Sequence, residues 1–336
     1  MRCPTLNELP APPLGKTGWP WTEESPQLPD FMPNGSPWPR ISIVTPNLNQ
    51  RQFIEETIRS VLLQGYPALE YIVIDGRSTD GSLDIIRKYD SWLSHLVSEP
   101  DRGQSDAINK GIRTATGDIA NWINSDDLFL KEGLRAVASA WHEFPNTMVV
   151  GSGIDFDEKT GNETLLFPRK IAIQNIIRFW EGWFGWLQPS IFFPRSVFSQ
   201  VGGLEENFHL VMDIDLYCRL MQVIPVVYST EPISKFRRHD EAKTQTKYHD
   251  MMLEYITAVS KHKSHLQTHD YDQYDSHVIL FLLRRSKRLL LDGHYVLSSK
   301  YFFNALQRSW FNTAILLFKL LFIKSSLAQQ EFHSGR

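Results

Sequence analysis

Trp122-Ile123-Asn124-Ser125-Asp126-Asp127 is the stretch on which the reading of this chain turns. Ile119, Ala120, Trp122 and Ile123 run apolar into it, the pattern of a short buried strand. The run then stops at Asn124, Asp126 and Asp127. Two adjacent carboxylates at the end of a buried strand are costly to hold ionised without a counter-charge. A hard divalent cation, Mg²⁺ or Mn²⁺, meets that cost by taking carboxylate oxygens together with the phosphates of a substrate. Open α/β sheets bind ligands at this end of their strands. The same aspartates would also cap a helix before Leu128-Phe129-Leu130, so on this stretch alone both readings stay open.

Working outward, strands and helices alternate. Ile41 to Thr45 reads as a first strand, and Phe53, Ile54, Thr57, Ile58, Val61 and Leu62 fall on one helical face. Glu70 to Asp75 is a second strand and His95 to Ser98 a short third, with Leu83, Ile85, Ile86 and Tyr89 marking a helix between them. Ala107, Ile108, Gly111, Ile112 and Ala115 give the helix before the opening stretch. Leu134 to Phe144 and Thr147 to Val150 continue the pattern. The expectation is an α/β fold, a mostly parallel sheet flanked by helices on both faces.

The strand ends are all polar: Thr45-Pro46-Asn47-Leu48-Asn49, Asp75-Gly76-Arg77-Ser78-Thr79-Asp80-Gly81, and Glu99-Pro100-Asp101-Arg102-Gly103-Gln104-Ser105-Asp106. Four such loops on one sheet edge, with Asn124 to Asp127, make a ligand crevice. No Gly-x-Gly-x-x-Gly follows the first strand and no phosphate-loop motif is present, which argues against a dinucleotide fold and a phosphate-loop nucleotidase.

Together, Ile-Val-Thr-Pro-Asn-Leu-Asn-Gln, Val-Ile-Asp-Gly-Arg-Ser-Thr-Asp-Gly-Ser, Glu-Pro-Asp-Arg-Gly-Gln-Ser-Asp-Ala-Ile-Asn-Lys-Gly and Trp-Ile-Asn-Ser-Asp-Asp resemble the family 2 glycosyltransferases of the GT-A fold over residues 40–245. The resemblance implies inverting transfer of a sugar from a nucleotide-diphosphate sugar, UDP by family habit, with Mn²⁺ or Mg²⁺ on the diphosphate. It implies nucleotide-sugar contacts from Thr45, Pro46, Asn47, Asn49, Asp75, Arg102, Gln104, Asp106 and Asp126, and a metal held by Asp127 and His239. Two departures from the family pattern stand out. Gly76 takes the slot of a second Asp that contacts the base, and Asn124 that of the first Asp of Asp-x-Asp.

Downstream, Lys159 to Asn162 reads as a hairpin turn. Trp180, Trp183, Phe184 and Trp186 crowd near Gly182 and Gly185, suiting either a sugar-stacking wall or a core lid. Trp183, Trp186 and Gln188 are the expected acceptor contacts. Met212-Asp213-Ile214-Asp215-Leu216 resembles the family motif Glu-Asp-x-Asp-Leu, which implies Asp213 as general base, with Met212 replacing the Glu. Asp215 is expected to pair with Arg219 at i+4.

Ten of the 19 prolines lie in residues 1–39, with Trp19, Trp21, Phe31 and Trp38 among them, so an ordered extended arm across the domain is expected. Residues 40–127 would be the nucleotide-binding half and 128–245 the acceptor half. Residues 246–336 read as a helical region, in which Arg284, Arg285, Lys287 and Arg288 adjoin a leucine-rich face. Packing on the core and peripheral contact with a membrane are both open for it. A net charge of −3 argues against nucleic acid as a partner. Two cysteines, no apolar leader and no run of about 20 apolar residues point to a cytoplasmic protein, including the inner membrane face. The expected acceptor is a glycan, lipid-linked or other hydroxyl compound, and polysaccharide synthesis for the cell envelope is the expected setting. A non-catalytic nucleotide-sugar or glycan binder on the same fold is the alternative. A sugar nucleotidyltransferase fits less well, because it needs a glycine-rich loop where this chain has Thr-Pro-Asn-Leu-Asn.

Overall fold

The computed structural model describes residues 1–168, 171–182, 186–318 and 320. The chain divides into two compact units, residues 1–173 with 184–248 and residues 174–183 with 249–336.

The first unit is built on a mixed sheet. Its strands are β1 (Ile41–Asn47), β2 (Leu69–Asp75), β3 (His95–Ser98), β4 (Ile119–Trp122), β5 (Leu128–Phe129), β6 (Met148–Asp157), β7 (Glu163–Leu166), β8 (Ile191–Pro194) and β9 (Val226–Arg238). Their order is β3-β2-β1-β4-β8-β6-β9-β5, with β7 on β6. Every residue of β1, β2 and β4 is buried, as a strand covered on both faces requires. These strands and β3 pair in parallel. Beyond them the sheet is mixed: β9 runs parallel to β6, while β5, β7 and β8 pair antiparallel. β8 inserts antiparallel between β4 and β6, so the strand read at 147–150 does not neighbour the opening stretch. That pairing is non-local and leaves no mark in hydrophobic period.

The crossovers carry α1 (Ile54–Leu62), α2 (Ser82–Arg87), α3 (Gln104–Thr114) and α4 (Gly133–Glu143). α1 buries Ile54, Ile58, Val61 and Leu62 at helical spacing. α3 lies so close on β1 that a Cβ at Gly111 would sit 2.4 Å from Val44 Cγ1, which is why glycine stands there. After α5 (Ile173–Ile177), α6 (Arg195–Gln200) and α7 (Met212–Leu220) follow β8, and α8 (Lys243–Thr246) follows β9.

The proline-rich arm is part of the core. Trp21, Met32 and Trp38 are buried, and Trp38 meets Tyr66 edge-on at 5.6 Å. Arg59 of α1, fully buried, donates to the carbonyls of Pro10, Pro20 and Trp21 and to Tyr89 Oη. Arm carbonyls that proline leaves outside any ladder thus find a donor.

The second unit is helical: most of α5 and α9 (Tyr248–Ser260) with α10 (Thr268–Leu291) and α11 (Tyr295–Arg308). Tyr274, Val278, Ile279, Leu282, Leu283 and Tyr301 form its interior. Ser286 Oγ donates to Ser298 O and Ser298 Oγ to Ser286 O, both at 2.9 Å, so small residues bring α10 and α11 close. Trp180 stacks on His277 at 5.1 Å and Phe179 meets Tyr255 and Phe281, so these aromatics are structural in the helical unit. Among the described residues no helix is long and apolar enough to cross a membrane.

Candidate active site

Asn47 and Asp75 end β1 and β2 side by side, and β4 delivers Asn124 to Asp127 to the same edge. There a cavity of about 300 Å³ opens, bordered by Pro46, Asn47, Gln50, Asp101, Gln104 and Asn124 on one side of the chain's order and by Arg237, His239, Lys243 and Thr244 from the end of β9 and α8. A recess of about 70 Å³, lined by Arg102, Glu206 and His209, shares Gly103, Gln104 and Lys243 with it.

Asp75 is fully buried and lies behind the wall. Its Oδ1 accepts from Asn47 Nδ2 at 2.8 Å, and its Oδ2 from Ser98 Oγ at 2.7 Å and Ser78 N at 3.1 Å. It ties three strand ends together. A carboxylate accepts only, so the Asn47 amide group must turn its NH₂ to Asp75. Asn47 Oδ1 is thereby left buried with no partner, as are Gln50 Oε1 and Thr244 Oγ1. All three residues line the cavity. Buried acceptors without donors are costly, and a ligand bearing N–H or O–H groups relieves them.

Thr45 is also buried, bonded to Tyr71 Oη at 3.0 Å. Asn49 closes a turn, its Oδ1 accepting Thr79 N at 2.9 Å with φ at 54°. Neither borders the cavity. A Cβ at Gly76 would lie 2.5 Å from Asp101 Oδ2, so the Asp101 carboxylate already fills that space from the loop before α3.

On the other side, Asp126 faces the cavity and its Oδ2 lies 3.1 Å from His239 Nε2. The His239 ring packs on Phe53 at 4.6 Å. Asp127 is 1% exposed and lines neither of these two cavities. Its Oδ1 accepts Arg237 N at 2.9 Å, and its Oδ2 accepts Asn124 Nδ2 at 3.3 Å. Burial, and then the neighbouring Asp126, push its carboxyl well above the usual range. Arg237 is the local counter-charge. Its guanidinium bonds Glu56 at 2.7 Å, Glu158 at 3.0 Å and Asp126 O at 2.9 Å.

Residues 42–201 match the sequence signature of Glycosyl transferase family 2. By that segment the chain is similar to the family 2 glycosyltransferases. It is 37% identical over 100 residues to TuaG of Bacillus subtilis, whose name assigns it to teichuronic acid biosynthesis; the match covers 29% of this chain and 40% of TuaG, well under two thirds of that relative's length. It is 28% identical over 184 residues to an uncharacterised glycosyltransferase of Mycobacterium tuberculosis, covering 54% of this chain and 68% of that protein. Among solved structures, residues 1–349 of S. aureus TarS in complex with UDP-GlcNAc share the fold, with a TM-score of 0.61 at 15% identity over 84% of this chain and 91% of that one. The mannosyltransferase PcManGT of Pyrobaculum calidifontis, in complex with GDP-Man and Mn²⁺, gives 0.52 at 18% identity over 89% and 83%.

The family 2 resemblance named residues that the fold distributes unevenly. Pro46, Asn47, Gln104, Asp126 and His239 line the cavity. Thr45, Asn49, Asp75 and Asp127 stand behind it, so the carboxylate of the pair that faces the cavity is Asp126 and not Asp127. Asp106 is buried and anchors the α3 start. Burial alone would raise its carboxyl, but the Arg102 amide and the Lys110 and Arg102 cations outweigh that and hold it low. Arg102 is exposed and clasps Glu206 at 2.9 Å beside the smaller recess.

Asn124 does what an aspartate there could not. It accepts from Gln104 Nε2 at 2.7 Å while donating to Asp127, and Gln104 Oε1 takes Lys243 Nζ at 2.8 Å. Gln188 bonds Trp122 O at 2.9 Å behind β4, Trp186 is buried, and neither lines either of these two cavities. Trp183 lies outside the described residues.

Asp213 stands half-buried in the first turn of α7, outside both cavities. One turn on, Tyr217 stacks on Trp122 at 6.3 Å; burial and then the Asp213 charge push its phenol far up. Asp215 bonds Arg219 at 2.7 Å, as its spacing predicts. Gln50 and Asp101 were missed as cavity residues; Gln50 ends the first quoted motif, and the absent side chain at Gly76 is the one signal for Asp101.

Proposed function

We propose that this protein moves a sugar from a UDP-sugar to a hydroxyl of a glycan or lipid-linked acceptor, with inversion and with Mn²⁺ or Mg²⁺ bound. The observation that carries this is one cavity holding two orphaned buried acceptors, Asn47 Oδ1 and Gln50 Oε1, together with the Asp126–His239 pair. A nucleoside brings an imide N–H and ribose hydroxyls to the first. Among the described residues no three metal-ligating side chains cluster. A pair nevertheless suits a hard cation that takes its other ligands from a diphosphate and water. The bound ion would supply positive charge to the leaving diphosphate. Lys243, already directed by Gln104, adds a second cation on the same wall.

In the proposed reaction Asp213 takes the acceptor hydroxyl proton as that oxygen attacks the anomeric carbon. The bond to the nucleotide diphosphate breaks on the opposite face, so configuration inverts. The UDP-GlcNAc bound to TarS and the GDP-Man and Mn²⁺ bound to PcManGT support the donor class. TuaG's name supports an envelope polysaccharide setting. Two free buried cysteines fit a cytoplasmic site of action. A second reading, nucleotide-sugar binding without transfer, draws on Asp213 lining neither cavity.

The test is nucleotide release from a panel of UDP-, GDP- and dTDP-sugars, with Mn²⁺ and with chelator, for wild type, Asp126→Ala and Asp213→Asn. Release from UDP-sugars that chelator and both substitutions abolish is expected. Donor binding with no release, even with acceptor extracts, would favour the second reading.

A further inference from the structure

The turn between α10 and α11 gathers exposed apolar side chains. From Leu290 through Val296 every residue is exposed. Four of the seven are large and apolar: Leu290 at 51%, Leu291 at 77%, Tyr295 at 70% and Val296 at 74% exposed. The hairpin needs none of them for its interior, which is made by Val278, Ile279, Leu282, Leu283, Leu289 and Tyr301. Exposed apolar clusters of this kind mark interaction sites.

Charge on the same helix indicates the partner. Arg284, Lys287, Arg288 and Leu291 lie at i, i+3, i+4 and i+7, so they share one face, and all four are exposed. A stripe of three cations therefore runs straight to the apolar tip. Residues 276–318 hold six lysines and arginines against one acid, Asp292, in a chain whose net charge is −3. Asp292 reaches Arg288 only at 3.9 Å, with both side chains more than half exposed.

We propose that the α10–α11 hairpin docks on an anionic lipid bilayer, its tip entering the headgroup layer and the α10 cations meeting lipid phosphates. A projecting turn of leucine, valine and tyrosine inserts between headgroups, and tyrosine suits the interface itself. Lysines and arginines beside it add sequence-independent attraction to acidic lipids. A second copy of the chain would have to bring together two like-charged cationic stripes, which disfavours self-association at this face.

The test is flotation of the full chain with vesicles of phosphatidylcholine alone and with about 30% phosphatidylserine. Wild type is expected to float with the anionic vesicles about tenfold more strongly than with the neutral ones, and to lose that preference at high salt. The pair Leu291→Asp and Val296→Asp should cut binding at least about tenfold, and Arg284→Glu with Arg288→Glu should remove the anionic preference. Thermal melts identical to wild type would certify that these exposed changes leave the fold intact. Absence of flotation on anionic vesicles, or flotation that neither pair alters, would overturn the proposal. So would a wild-type dimer that Leu291→Asp converts to monomer while neither form binds vesicles.

Discussion

The proline-rich arm and the α10–α11 hairpin both carry many aromatic and aliphatic residues, and they dispose of them in opposite ways. The arm hides Trp21, Met32 and Trp38 and secures its backbone through Arg59. The hairpin fills its interior from one side and leaves Leu290, Leu291, Tyr295 and Val296 in the open. Composition alone suggests the reverse, since a proline-rich segment cannot form helix or inner strand and a helical hairpin can bury a whole face. The arm can bury its aromatics because its polar backbone finds partners outside any ladder. Its carbonyls accept from a buried guanidinium, and its Ser25 and Leu28 amides donate to the Leu63 and Gly65 carbonyls.

The largest expected effect attacks the arm. Trp21→Ala should cost about 3–5 kcal/mol by emptying a buried site, and Arg59→Ala should cost about 3 kcal/mol by orphaning the carbonyls of Pro10, Pro20 and Trp21. Urea titrations of the full chain measure both. Changes under about 0.5 kcal/mol would mean that the arm is not part of the core.

Smaller but pH-dependent is the contribution of Glu70 at the start of β2. Burial opposes its ionisation, yet bonds from Ser42, Thr116 and the Gly117 amide, with Arg40 nearby, outweigh that and hold its carboxyl below the usual 4.5. A depressed carboxyl lends stability that is complete above the unfolded value and is lost as pH falls through the folded one. Glu70→Gln should therefore lower stability at pH 7 by about 1–3 kcal/mol and flatten its decline below pH 4.5. An unchanged acid limb would contradict the assignment.

Asn124→Asp probes the site between these extremes. It removes the donor to Asp127 and adds a third carboxylate, so metal-free UDP binding should weaken about tenfold and Mn²⁺ should restore more of it than in wild type, by calorimetry. The smallest effect belongs to the hairpin tip, where Leu291→Asp should move stability by less than about 0.5 kcal/mol. A larger loss would make the two chain ends alike.

Much of the fold was legible in the sequence. β3 runs over His95–Ser98 and α1 buries Ile54, Ile58, Val61 and Leu62 on one face, because hydrophobic period speaks directly for such elements. The insertion of β8 between β4 and β6 was not legible, since strand neighbours far apart in sequence share no period. The crevice was visible as four polar loops on one edge. Which side chains reach it was not. β4 ends at Trp122, so alternation cannot say whether Asp126 or Asp127 faces out. Asp75 and Asn47 look equivalent as letters, yet one is a buried tie and the other presents an unpaired oxygen.

The most direct measurement is a crystal structure of the chain grown with UDP and Mn²⁺. The account predicts UDP in the β1–β9 cavity, N–H or O–H groups on Asn47 Oδ1 and Gln50 Oε1, and the ion on Asp126 and His239. UDP bound elsewhere, or an ion on Asp127 with Asp126 turned away, would contradict it.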